Sequence, residues 1–514
     1  MTTLLARFDD AMNPVVVKEV RQAVQSRFVV AVMGLFLVAS LGAVCIYLLG
    51  GNVSDTNFTA GRELFSMLQA VVAVTCIMFV PMYAAVRLSA ERGGEHPDLL
   101  YVSTIHPMRI IWGKVCSSML LALLIYSCVL PFMTLTFLMR GVDLPTMFMV
   151  VGVHLLVVFA AVACAVFLAA LPVTPMLKAV MGLLFLGLPG WGATIAVAAG
   201  IGMAQFGVGW ASDWEFWIIA GLVTLLVGGA SVLLLLLAAA VIAPASANRA
   251  LPIRGYLTTL CAFGLTAVLV IYYSTRGAGM MPDLDELLAF VWIIPTVSVA
   301  CAAMLISTAE RESWTPRMRR HIPRALWKRV PFWLLSSGSA GGVAWAVTLV
   351  VATFGVVFIL IALGELDFGS RYSDAREVSV GWAVIAVYFY CYALTGVALR
   401  WPRRRTLMPP VATIYTMGLL VAGCLLPVIL AYFADPRRGD QSETLLFLFN
   451  PFGAAVMWAT EDEPAFWLAS GVVVGLWCIV VTLACIPWFV GQVRGFQPLE
   501  PAPAPPAPIE AATP

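Results

Sequence analysis

Apolar residues run along this chain in blocks of about 20, each long enough to carry a helix across the roughly 30 Å hydrocarbon core of a bilayer. Short polar intervals separate the blocks, which fall near 28–49, 65–87, 115–139, 146–171, 178–200, 216–243, 256–274, 287–308, 343–363, 378–399, 410–433 and 466–490. The pattern predicts an all-α integral membrane protein with about twelve transmembrane helices. The first block, from Phe28, is too long for the apolar core of a cleavable signal and is expected to remain as a span. Ahead of it, Asn13 suits an N-cap and Pro14 a first helical position. In the helix that follows, Val17, Val20 and Val24 share one stripe while Lys18, Gln22 and Gln25 share another, as in a helix lying in the interface with its apolar face in lipid.

Charge then orients the spans. With the N-terminus in the cytoplasm, 23 of the 30 lysines and arginines fall in inner segments and 18 of the 28 acidic residues in outer ones. A missed span would invert every later loop and erase that asymmetry, so both termini are expected to be cytoplasmic. The chain divides by this reading into a cytoplasmic N-terminus with its amphipathic helix (1–27), a first six-span domain (28–243), a second six-span bundle (244–490) and a Pro/Ala-rich tail (491–514). The tail has seven prolines in its last 18 residues and is expected to be extended and disordered.

Composition agrees with the hydropathy. The chain is 61% hydrophobic and 11% charged, whereas a soluble domain carries about 25% charged residues. Its 11 cysteines lie in or at the ends of apolar blocks with no C-x-x-C pair, and read as small core residues without a metal site or a disulfide framework. The net charge of +2 gives no reason to expect a nucleic-acid partner. Away from their ends the spans contain no Asp, Glu, Lys or Arg, and His154 is their only histidine. Ion-coupled carriers need ionisable groups at membrane depth, so the pattern argues against one. His154 reads as a histidine bonded between helices, with a proton relay as the alternative.

The polar interval 87–114, RLSAERGGEHPDLLYVSTIHPMRIIWGK, is the most informative. Gly93 and Gly94 release the preceding helix, while Pro97 and Asp98 suit the start of a short one with Leu99, Leu100 and Val102 on one face. Pro107 breaks it, and Met108, Ile110, Ile111 and Trp112 begin another that leads through Gly113 and Lys114 into the next span. A solvated loop and a docking site for a soluble partner both fit. The residues Ala90-Glu91-Arg92, Asp98-Leu99-Leu100, Pro107 and Gly113-Lys114 together resemble the coupling loop after the second span of type-2 ABC transporter permeases, and with Ile110 they are the docking candidates that the resemblance implies. The Gly-Thr usual there is replaced by Glu95-His96-Pro97. The stretch around Asn13, Pro14, Lys18, Glu19 and Arg21 is similar to the N-terminal elbow helix of that family. The resemblance covers about residues 10–243. It implies a membrane subunit of an exporter whose loop seats on a separate ATP-binding subunit, with ATP and Mg bound in that partner and no cofactor in this chain.

Two further stretches bear on this reading. Between Gly182 and Trp217 the fifth block gives way to a glycine-rich run in which Pro189 is expected to break the helix, and Trp210, Trp214 and Trp217 suit an outer aromatic belt. In the family, short re-entrant helices close the exit at this place, which makes Pro189, Gly190 and Trp191 exit-gate candidates. Farther on, Thr308-Ala309-Glu310-Arg311 echoes Ser89-Ala90-Glu91-Arg92 in the corresponding loop of the second half. That loop is basic and carries Trp314, Trp327 and Trp333. It reads as a lipid-headgroup contact, or as a second docking loop through Glu310, Arg311, Arg317 and Arg320.

No catalytic apparatus is apparent. The one Gly-Lys pair, Gly113-Lys114, is followed by Val115, and Met108 stands where a P-loop would have its first glycine. The chain is therefore expected to be a permease in a bacterial-type cytoplasmic membrane, without enzymatic activity of its own. It would work with an ATPase subunit, with membrane lipids, and as a homodimer or with a second permease. The alternatives are a secondary transporter of the major facilitator type, whose characteristic G-x-x-x-D-R loop is absent from 87–114, and a non-transporting membrane scaffold.

Overall fold

The computed structural model describes residues 14–50, 60–93, 107–139, 141–172, 174–206, 209, 212–244, 246–275, 286, 288–364, 374–404, 406–434, 448–460 and 464–499. Regular structure among them is helical, with no strand. Eleven of these helices are long and apolar enough to cross a membrane, and the chain is a multi-pass membrane protein. It divides into two compact units, Met1–Pro244 and Ala245–Pro514.

The first unit begins with α1 (Pro14–Val24) and α2 (Arg27–Gly50). On α2 a narrow stripe of Val29, Phe36, Ser40 and Val44 is buried, while Val38 and Ile46 are each 68% exposed. An apolar exterior of that kind is what lipid requires of a span. The next long helix is built from α3 (Ala60–Val74), a π turn at Thr75–Phe79, and α4 (Val80–Gly93). Pro81 explains the π turn: it has no N–H for the carbonyl four residues back, and the ladder slips by one residue just ahead of it. Four more long helices complete the unit: α5 (Pro107–Leu138), α6 (Leu144–Ala170), α7 (Pro175–Phe206) and α8 (Trp214–Ile242). Asp143 caps α6, accepting from the Thr146 N–H at 3.1 Å.

Helix α6 lies at the centre of this unit. Its buried Val158, Ala161, Val162, Ala163, Ala169 and Ala170 pack in one core with Leu235, Ala238 and Ala239 of α8. Small side chains let helix backbones approach closely, which drives packing in lipid, where burial of apolar area is not available as a force. The block expected at 178–200 lies within α7, 32 residues long and not among the eleven. The helix is continuous through Pro189, where the sequence predicts a break, because neighbouring helices tolerate one lost backbone bond in a membrane protein. One glycine of the glycine-rich run has a specific reason: a Cβ on Gly200 would meet Gln69 Nε2 at 1.7 Å.

The second unit repeats the use of a π turn. After α9 (Ala250–Thr275) come a π segment at Leu288–Ile293 and α10 (Ile294–Ser307), with Pro295 just beyond the π segment as Pro81 is in the first unit. Two short helices, α11 (Pro316–Arg319) and α12 (Leu326–Leu335), fold the basic loop against the unit. The long helices α13 (Ser339–Ala362), α14 (Asp374–Arg400), α15 (Pro410–Ala434) and α17 (Pro464–Gly495) follow. Ahead of α17 stands the short α16 (Pro451–Thr460), whose first N–H groups are capped by Asn450 Oδ1. Past Gly495, Phe496 is buried edge-on against Trp314, with ring centroids 4.7 Å apart. Residues 500–514 lie outside the described residues.

Candidate functional site at the polar loop

Four charged residues from three helices meet where the first unit's polar loop leaves and re-enters it. Lys114, two turns into α5, sits in an otherwise apolar stretch, and its ammonium needs acidic partners if it is to be buried. It finds two. Lys114 Nζ lies 2.9 Å from Glu19 Oε1 of α1 and 2.8 Å from Glu91 Oε2 near the end of α4. The side chains of Lys114 and Glu19 are 2% and 4% exposed, while Glu91 is 32% exposed and takes a weaker contact from the solvated Lys18 at 3.8 Å. The Lys114 carbonyl in turn accepts from the hydroxyls of Ser117 and Ser118 at 2.9 and 2.8 Å.

This cluster brings together residues selected from two separate stretches of sequence: Lys18 and Glu19 from the N-terminal helix, Glu91 and Lys114 from the loop. Ile110 and Gly113 are also buried, so they face the interior of the unit. Pro107 is half-buried and begins α5. Arg21 is exposed, Pro14 is the first residue of α1, and Asn13, Asp98, Leu99 and Leu100 lie outside the described residues. The backbone of Arg92 is in the last turn of α4. The face that α1 turns inward carries Glu19 and Ala23, with Val24 58% exposed. The stripe expected to enter lipid is thus partly rotated, because the buried lysine draws Glu19 in.

The second unit has an arrangement of the same kind. Glu310, just past the end of α10, accepts from Arg254 of α9 and from the Gly338 N–H at 2.8 Å. Arg254 also donates to the Leu334 and Ser336 carbonyls at the end of α12. Burial pushes the Glu310 carboxyl above the usual carboxylate range, and Arg254 and the Gly338 N–H pull it back. Glu312 makes a bidentate pair with Arg400, whose side chain is 2% exposed. Arg311 is half-buried, whereas Arg317 and Arg320 are exposed. Trp314 and Trp333 are buried, and Trp327, 75% exposed with Lys328 over its ring, is the one of the three that can reach lipid. Arg254 and Arg400 were not singled out by sequence; the available signal was a cation bordering an apolar block.

His154 is 1% exposed in a polar trio that sequence only half indicates. Gln69 Nε2 donates to the Ala196 carbonyl at 3.3 Å and lies 3.1 Å from His154 Nε2, while His154 Nδ1 lies 2.9 Å from the Tyr126 hydroxyl. The Gln69 amide nitrogen can only donate, so in this arrangement the ring Nε2 accepts from it and Nδ1 is left to bond the Tyr126 hydroxyl. Four helices of the unit meet in this network. Among the exit-gate candidates, Trp191 is 74% exposed and Pro189 and Gly190 lie within α7. No group of three or more potential metal ligands occurs among the described residues. Comparison of the chain with family models, with curated proteins and with solved structures finds no match.

Proposed function

We propose that the chain is the membrane permease subunit of an ATP-driven exporter, coupled to a separate ATPase through the loop between α4 and α5. The observation that carries this reading is the buried Lys114, which ties together the end of α4, the start of α5 and α1. A loop that receives a mechanical push transmits it only if both its ends are fastened to rigid elements. Here a displacement of residues 94–106 would move three helices at once, and α6 packs on α4 and α5 behind them. The residue type suits the task, since a buried ion pair keeps one geometry where an apolar contact would slip. The fastened Glu310 and Glu312 in the second unit give its basic loop a comparable footing.

The test is copurification. The full chain, isolated in mild detergent from cells that express the candidate ATPase, should bring a nucleotide-binding subunit with it. Leu99→Asp with Leu100→Asp should remove that subunit while leaving membrane insertion intact, because a carboxylate buried in a docking groove costs several kcal/mol. Ile110 is not a useful target, since it is packed inside the unit. An undiminished ATPase yield from the double variant would place the contact elsewhere.

A further inference from the structure

Beside the Lys114 cluster, but separate from it, a cavity of about 530 Å³ opens between the end of α1, the start of α2 and the body of α4. Its wall combines Gln22 and Gln25 with Phe28, Met82, Tyr83 and Arg87. That volume falls within the roughly 300–1,000 Å³ of ordinary ligand sites. Among the described residues Arg87 is a cation without a carboxylate partner. Its Nη2 donates to the neutral Gln22 Oε1 at 2.7 Å, its Nε–H is buried and unpaired, and its guanidinium lies 5.7 Å from the centre of the Tyr83 ring. The nearest acid along the helix, Glu91, is already engaged by Lys114 and Lys18. The Tyr83 hydroxyl is likewise buried with no acceptor, and its ring stacks on Phe28 at 6.5 Å and 6°.

Buried donors without acceptors are uncommon in native structures and call for a reason. Two of them on side chains that line one cavity, with a guanidinium bonded only to a neutral amide, mark a site short of negative charge and of acceptor oxygens. The opposite rim is apolar and exposed: Phe28, Met82 and Val86 are 44%, 45% and 61% exposed. The site also lies where the spans α2 and α4 end on the side of the membrane that carries most of the chain's basic residues. A phosphate oxygen suits a guanidinium fork, and an acyl chain suits the apolar rim. We propose that this cavity holds the phosphate of an anionic phospholipid of that leaflet, with its acyl chain running along Phe28 and Met82. The lipid would then wedge α1 against α4 beside the fastened loop. The assignment depends on the membrane topology and not on the transport reading.

The test uses the full chain, delipidated in detergent and titrated in native mass spectrometry with phosphatidylglycerol, phosphatidylcholine and inorganic phosphate. One phosphatidylglycerol should bind more tightly than phosphatidylcholine and should not be displaced by millimolar inorganic phosphate. Arg87→Gln removes the cation and should weaken phosphatidylglycerol by about tenfold or more, the effect of losing a charge-assisted bond. Gln25→Trp, a change at an exposed rim position, should fill the cavity mouth and weaken it comparably. If Arg87→Gln does not yield a folded, monodisperse protein, Gln25→Trp carries the test alone. Unchanged phosphatidylglycerol binding in the folded variants overturns the proposal. Equal binding of phosphatidylcholine, or displacement by inorganic phosphate, overturns its assignment to an anionic lipid.

Discussion

Replacing Lys114 by Met probes the cluster most directly, because Met keeps the length and apolar stem of lysine and deletes only the ammonium. In the folded protein Glu19 is 4% exposed and has Lys114 as its cation at 2.9 Å. Without Lys114 a buried carboxylate is left uncompensated, which typically costs about 3–5 kcal/mol. Glu91 adds less, since it is 32% exposed and keeps Lys18 at 3.8 Å, a solvated pair worth at most about 1 kcal/mol. The order of destabilisation should therefore be Lys114→Met, then Glu19→Gln, then Glu91→Gln. Glu19→Gln ranks below Lys114→Met because it leaves Lys114 still paired with Glu91.

The informative measurement is the double variant. Glu19→Gln with Lys114→Met removes the charge that the single lysine change strands, so the pair should be more stable than Lys114→Met alone. The assay is unfolding in mixed detergent micelles, followed by tryptophan fluorescence for wild type, both single variants and the double. A Lys114→Met protein that unfolds together with wild type would refute the argument. So would a double variant that is no better than the lysine change by itself, since the cost would then lie in lost packing and not in stranded charge. A restored double variant also separates stability from coupling: it should fold, yet transmit less of any push on the loop, read as ATPase activity no longer stimulated by substrate.

In the second unit, Glu310→Gln should destabilise more than Arg317→Ala, because Glu310 holds Arg254 and the Gly338 N–H while Arg317 is exposed; equal unfolding midpoints would contradict this. Single cysteines at 205–213, 278–284 and 436–446 should label with an impermeant maleimide from outside intact cells, and those at 93–98 and 318–324 only after permeabilisation; outside labelling at 318–324 would end the proposed topology. Gly200→Ala should disturb the Gln69 trio and lower stability by more than the mean effect of about 1 kcal/mol for point changes, measured against Gly202→Ala, whose added methyl meets nothing within 4 Å. His154→Gln should leave transport by a reconstituted complex dependent on ATP and indifferent to a collapsed proton gradient. Loss of activity with an uncoupler would favour an ion-coupled carrier instead.

Hydropathy alone locates the long helices, because a span in lipid must satisfy its backbone internally and declares itself by length and composition. The π turns were not legible: each precedes a proline, Pro81 or Pro295, but Pro131, Pro427 and Pro487 stand inside α-helices without one. What local pattern cannot read is which polar groups face one another. The stripe on α1 places Val17, Val20 and Val24 toward lipid by periodicity, yet the partner that draws Glu19 inward lies 95 residues away. Tryptophans in a basic loop look like an interfacial belt, but Trp314 is claimed by the Gln492 carbonyl, 178 residues on, and by Phe496. Gln69 and Tyr126 give no periodic signal at all, and only the buried His154 between them shows why they are there.

The basic residues illustrate the same limit with a more general lesson. Their distribution orients the spans, and read that way each is one unit in a charge count. In the folded units several of them fasten the structure instead. Lys114, Arg254 and Arg400 are each 2–4% exposed at the end of an apolar helix, and each is matched by glutamate from a distant segment: Glu19 with Glu91, Glu310, and Glu312. A cation bordering an apolar block is therefore worth reading as a request for a partner, since burial without one costs more than the fold can spare. Arg87 sits in the same zone and makes the same request, but the chain answers it with the neutral amide of Gln22. A buried charge of that kind, left without a carboxylate among the described residues while Lys114, Arg254 and Arg400 each have one, is the reason to look for its counter-ion outside the protein.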